Sequence, residues 1–172
     1  FDRGISPKIR VAPGERFVIE TEDAASGWLR EEGKSPLDRP HILTQPPSTN
    51  PVGGPVYIEG ARKGDLLAVK VEDILVAEDQ SFTYTQRRGP VFDSFTWSDA
   101  AQPYTHILRH QPGPGGTMRD GRIWFHERIS WPAAPFIGTI GVAPAREVFS
   151  TRVGPGPWGG NLDCRDIKPG NT

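Results

Sequence analysis

Leu66-Leu67-Ala68-Val69-Lys70-Val71-Glu72-Asp73-Ile74-Leu75-Val76 carries a long run of alternating apolar and polar residues. Leu67, Val69 and Val71 alternate with Ala68, Lys70 and Glu72, a period of two that sends apolar side chains to one face of a strand. The run predicts the longest strand of the chain, with one face buried and one solvated. Before it, Ala61-Arg62-Lys63-Gly64-Asp65 reads as a tight turn in which Gly64 is free to take positive φ.

The same alternation recurs on both sides. Residues 16–22 put Phe17, Ile19 and Thr21 on one face and Arg16, Val18, Glu20 and Glu22 on the other. Residues 55–60 form a shorter strand with Val56 and Ile58 inward and Tyr57 and Glu59 opposite. Further strands are expected over 81–86, 105–110 and 137–143, the last rich in glycine, as where a ligand or another backbone approaches closely. Asp120-Gly121, within 118–125, predicts a hairpin turn. Helix is expected only over 24–32 and 145–150. Many short strands between Gly/Pro turns predict an all-β, turn-rich fold over 1–172, a two-sheet sandwich or barrel-like domain. Residues 33–54 are too long for a plain connection, and loops of that length usually carry function or cover something.

Composition limits the partners. Lys+Arg 20 against Asp+Glu 21 gives a formal net charge of -1, so nothing electrostatic points to nucleic acid or an anionic membrane. No apolar run approaches the roughly 20 residues of a membrane-spanning helix, and no signal-peptide core is visible. Cys164, the only cysteine, forms no internal disulfide, which fits a reducing, cytoplasmic setting with a processed or exported form left open. No nucleophile signature surrounds it, so it is read as an incidental thiol. Phe1 in place of an initiator Met and the closing turn Pro169-Gly170-Asn171-Thr172 are read as marks of a processed product or a fragment.

The histidines are His41, His106, His110 and His126. His106 and His110 share a strand face but would stand roughly 13 Å apart, too far for one ion. His126-Glu127 reads as a surface or half-buried pair. No Gly-x-Ser-x-Gly elbow, P-loop or Cys-x-x-Cys is present. A hydrolase would then need a metal-bound water, or a nucleophile outside this chain.

Three ordered blocks are more specific than composition explains. They are Asn50-Pro51-Val52-Gly53-Gly54-Pro55-Val56-Tyr57-Ile58-Glu59-Gly60-Ala61 with Lys63-Gly64-Asp65, then Pro135-Phe136-Ile137-Gly138-Thr139-Ile140-Gly141-Val142-Ala143-Pro144, then Gly159-Gly160-Asn161-Leu162-Asp163. Together they resemble the acetamidase/formamidase family over essentially the whole chain. The resemblance implies hydrolysis of a short carboxamide to carboxylate and ammonia. It also implies an all-β half like this one followed by a half of mixed α/β structure, which carries a Gly-Asp-x-His block and an acidic cluster. Neither stands in this sequence, so an active site shared with a second chain is expected, from the same precursor or separately encoded. A homo-oligomer of the two-chain unit is expected with it.

Residue roles follow from the chemistry with the resemblance added. Asp163 offers a hard anionic oxygen to a divalent metal, zinc first and calcium second, and Asn161 a carbonyl oxygen; the alternative is a tight turn closed by an Asx residue. Gly138, Gly160 and Trp158 are assigned to substrate binding: the glycines for close backbone approach, the indole as wall of a small apolar pocket. Glu59 and Thr139 are assigned to catalysis, Glu59 as a buried general base and Thr139 within a run able to present N–H groups to an oxyanion. Solvated carboxylate, close strand packing and core packing are the plainer readings of these residues. Rival functions are a lactam hydrolase of the same family and a non-catalytic sandwich binding ligand through Trp97, Trp124, Trp131 and Trp158.

Overall fold

The computed structural model describes residues 1–38, 40, 50–86 and 102–172. His41, Trp97 and residues 39 and 41–49 of the irregular stretch 33–54 lie outside them. The described residues are rich in strands and hold no α-helix, only short 3-10 turns such as Pro36–Asp38 and Met118–Asp120. Their strands make three open sheets rather than two, and none closes into a barrel. The chain divides into two compact units: Phe1–Ser26, Ser48–Asp73 and Phe136–Thr172 in the first, Gly27–Pro47 and Ile74–Pro135 in the second.

In the first unit β1 (Ile9–Val11) pairs in parallel with β2 (Val56–Ile58), in the register Ile9↔Val56 to Val11↔Ile58. The alternation expected at 55–60 holds, with Val56 and Ile58 half-buried and Tyr57 and Glu59 exposed. The following turn also forms: Arg62 N–H donates to Asp65 Oδ2 at 2.8 Å and Gly64 takes φ 100°. Among the described residues Val11, Ala25 and Val71 are the buried apolar residues of this unit.

Two expected strands do not form. Residues 16–22 and 66–76 carry no strand, although their alternation is the clearest in the chain. A strand is stable only when a neighbour takes its N–H and C=O groups and something covers its apolar face. Val71 meets both conditions: its N–H donates to Asn171 O at 3.0 Å, its carbonyl accepts from Gly170 N at 2.8 Å, and its side chain is buried.

Among the described residues the second unit holds an antiparallel sheet ordered β3 (Gln80–Thr85), β4 (Tyr104–Gln111), β5 (Arg122–His126), β6 (Ile129–Pro132). The strands expected over 81–86 and 105–110 are β3 and β4. Leu29, Leu108 and Met118 form its small apolar core. The hairpin expected at Asp120-Gly121 does not occur. Met118–Asp120 is a 3-10 turn capped by Thr117, and Gly121 has φ −79° rather than the positive φ of a two-residue hairpin turn. Gly121 serves close packing instead, since a Cβ there would lie 2.8 Å from both Gln111 O and Met118 Sδ. The tight reversal falls between β5 and β6, where His126 pairs with Ile129.

Neither expected helix forms. Ser26 and Gly27 take φ 51° and 73°, which ends any helix begun at Ala24. Residues 145–150 are too few to repay helix nucleation without a buried face.

Candidate functional site

The glycine-rich run expected as a strand over 137–143 condenses to β7 (Thr139–Gly141), paired antiparallel with β8 (Gly159–Asn161) in the first unit. The register sets Thr139 opposite Asn161, Ile140 opposite Gly160 and Gly141 opposite Gly159. Gly159 and Gly160 take φ 91° and 124°, a backbone that L side chains rarely adopt, which is why this strand is built of glycine. The chain reverses into it through paired N–H···O bonds between Gly156 and Gly159, both 2.9 Å.

This pair brings together most of the residues expected at the site. Thr139 Oγ1 donates to Asn161 Oδ1 at 3.0 Å. The Gly138 carbonyl accepts from both Leu162 N and Asp163 N at 2.9 Å, which seats Asp163 beside Gly138. A Cβ at Gly138 would stand 3.0 Å from Asp163 Oδ1, so the missing side chain leaves that carboxylate its place. Asp163 holds φ 47°, a left-handed conformation that Asp and Asn tolerate best among non-glycine residues. Trp158 stacks on Phe149, centroids 3.8 Å apart, and its ring closes over Gly156. Its carbonyl accepts from Val142 N at 2.8 Å. Glu59 stands apart, exposed at the end of the β1–β2 sheet, its N–H donating to Val11 O at 2.9 Å. The burial expected of it is absent.

As a cation site the arrangement is partial. Asp163 brings a hard oxygen, while the Asn161 oxygen already accepts the Thr139 hydroxyl. Among the described residues no group of three or more His, Cys, Asp or Glu side chains could hold an ion together. Zinc takes about four ligands and calcium six to eight oxygens. These residues therefore fit a share of such a site and do not fit a whole one.

The second unit holds a polar cluster that the sequence reading missed. Glu32 Oε1 accepts from Tyr104 Oη and His106 Nδ1, both at 2.8 Å, and Oε2 accepts from Ile107 N at 2.8 Å. His106 Nε2 lies 2.6 Å from Phe125 O. A carboxylate and a carbonyl can only accept, so both bonds are made fully when the imidazole carries two protons. Glu32 beside it, and then the Phe125 carbonyl, hold His106 above its ordinary value of 6.5. His106 and the Ile107 N–H hold Glu32 below its ordinary 4.5. An open cavity of about 420 Å³ adjoins the pair, with Arg109, Trp124 and His126 also in its lining. His106 does not converge with His110, whose ring nitrogens meet Glu78 O at 2.8 Å and Ser81 Oγ at 2.9 Å. Glu32 escaped notice because its partners lie more than 70 residues away and its own segment read as helix.

A pH dependence follows. The raised His106 contributes stability that is present below about 6.5 and lost as pH rises through its folded value. The lowered Glu32 contributes stability present above about 4.5 and lost as pH falls. The melting temperature should be highest between these values, and His106→Asn should flatten the alkaline limb. An unchanged alkaline limb in that variant would contradict the assignment.

Similarity to known proteins agrees with the family that the blocks indicate. The acetamidase/formamidase family matches residues 1–153, ending before Gly159–Asn161. Structural similarity extends across that run. An acetamidase from Bacillus halodurans superposes with TM-score 0.79 at 30% identity, over 98% of this chain and 51% of that one. An acetamidase from Yersinia enterocolitica gives 0.74 at 26%, over 98% and 49%. A predicted acetamidase/formamidase from Thermoanaerobacter tengcongensis gives 0.70 at 26%, over 99% and 50%. No curated protein matches the sequence. The chain thus spans about half the length of the solved proteins it resembles. With its family match over most of its length, it belongs to the acetamidase/formamidase family.

Proposed function

We propose that this chain is one half of a hydrolase of small linear carboxamides, acetamide- or formamide-like, whose active site is completed by a second polypeptide. The observation that carries the reading is the β7–β8 pair, which sets Gly138, Thr139, Gly160, Asn161 and Asp163 side by side in a chain of this family. Water adds to the amide carbonyl, the C–N bond breaks, and carboxylate and ammonia leave. A divalent cation, zinc first and calcium second, would supply an activated water and polarise the carbonyl. Asp163 and Asn161 would hold it together with ligands from the second chain. Thr139 fixes the Asn161 side chain through its hydroxyl. Gly138 and Gly160 keep the backbone open to a small substrate, and Glu59 would act as base once covered. The sheets would then complete a sandwich, in a cytoplasmic homo-oligomer of the two-chain unit.

Ammonia release from acetamide, formamide and a γ-lactam tests the substrate class, and turnover of the lactam alone would favour the cyclic-amide reading. Chelation of the completed enzyme should lower turnover at least about 100-fold, with recovery on adding zinc or calcium. Full activity after chelation would exclude the metal. A single species of 18.9 kDa in the intact mass of the active material would exclude the second chain.

A further inference from the structure

Two segments with strand-like sequences find no sheet in this chain. Residues 16–22 and 66–70 alternate apolar and polar side chains, yet every residue in both is exposed. Val18 is 86% and Leu66 98% exposed, and even Phe17, Ile19, Leu67 and Val69, the expected inward side, stay open to solvent. Among the described residues these segments make no backbone–backbone hydrogen bond. Both belong to the first unit, and Arg16 Nε pairs at 3.1 Å with Glu72 Oε1, two residues beyond the second segment. Residues 16–22 are also held against their own chain on one side, since a Cβ on Gly53 would fall 2.2 Å from Ile19 Cγ2 and 2.9 Å from Glu20 O.

Such a surface is costly as it stands. Unpaired strand backbone beside exposed Val, Ile, Phe and Leu is a template for another strand and a surface that seeks cover. The solved acetamidases are about twice as long as this chain, which overlaps 51%, 50% and 49% of them. A polypeptide of similar size is therefore present in them and outside this structure. We propose that residues 16–22 and 66–70 form the docking surface for that second polypeptide, which adds strand backbone to them and buries their apolar side chains. This rests on the two-chain reading above and specifies where the second chain binds.

The test fuses to Thr172, through a flexible linker, the half of the Bacillus halodurans acetamidase that this chain does not overlap. The linker makes association intramolecular, so moderate sequence mismatch is tolerated. Amide hydrogen exchange of the fusion is compared with that of the 172-residue chain. Amides of 16–22 and 66–70 should exchange at near-unprotected rates in the chain alone and at least about 100-fold more slowly in the fusion. Adding Val18→Lys and Leu66→Lys should abolish that gain and leave β3–β6 unchanged. Unprotected amides at both segments in the fusion overturn the proposal, whether the halves associate elsewhere or not at all. Protection that instead develops in the chain alone with rising concentration also overturns it, because a second copy is then the occupant. Amide turnover is read separately: an active fusion with unprotected segments sinks this surface alone, and a protected but inactive one sinks the proposed activity alone.

Discussion

Asp163→Asn is expected to lower ammonia release by the completed enzyme by roughly 100- to 1,000-fold, the loss typical of removing one fixed charge-stabilising group from an active site. The substitution isolates the charge. Asn adopts the left-handed backbone as readily as Asp, so φ 47° is retained. The bonds from Leu162 N and Asp163 N to the Gly138 carbonyl are made by the backbone and survive. Asp163 is exposed, so thermal stability should barely move. Lost turnover with an unchanged melting temperature is the expected pair of results. Turnover within a few-fold of the parent would remove Asp163 from the site. Asp163→Ala also introduces backbone strain of about 1 kcal/mol and is the less clean variant.

Gly159→Ala should be the most destabilising small substitution in the β7–β8 pair. A Cβ there would lie 2.5 Å from Ile140 O and 2.9 Å from Gly141 Cα, both backbone atoms that cannot swing away. At φ 91° the added methyl also meets an unfavourable backbone region. Strain and overpacking together put the cost at about 3 kcal/mol, read as a lower urea midpoint with an unchanged slope. Gly154→Ala is the internal control. A Cβ at Gly154 meets nothing within 4 Å, and its effect should stay within about 1 kcal/mol of zero. A loss below about 1 kcal/mol at Gly159 would mean that the β7–β8 backbone shifts freely, and with it the placement of Asn161 and Asp163.

The residues of the β7–β8 pair differ in how legible they were in the sequence. The Gly-Gly-Asn-Leu-Asp run stood out in the sequence, but its neighbours did not follow from it. That Asn161 would meet Thr139, and that Asp163 would hang from the Gly138 carbonyl, depends on a strand register between segments some 20 residues apart. Glu59 shows the reverse: its strand and face were legible, while the cover that would make it a base is not supplied by this chain.

What the sequence determined by itself was local. Period-two alternation and turn glycines were enough to place β2, β3 and β4, the turn at Gly64 and the scarcity of helix among the described residues, because each depends on side-chain direction and φ within a few residues. Tertiary structure alone decided which alternating segments become strands. Residues 66–76 had the best pattern yet form no strand ladder, whereas Ile9–Val11 had little pattern and found β2. It also decided that Glu32 would meet Tyr104 and His106, and that the reversal would pass from Asp120-Gly121 to the β5–β6 junction. Alternation states how a strand would face, but only a neighbouring backbone, in this chain or another, makes it one.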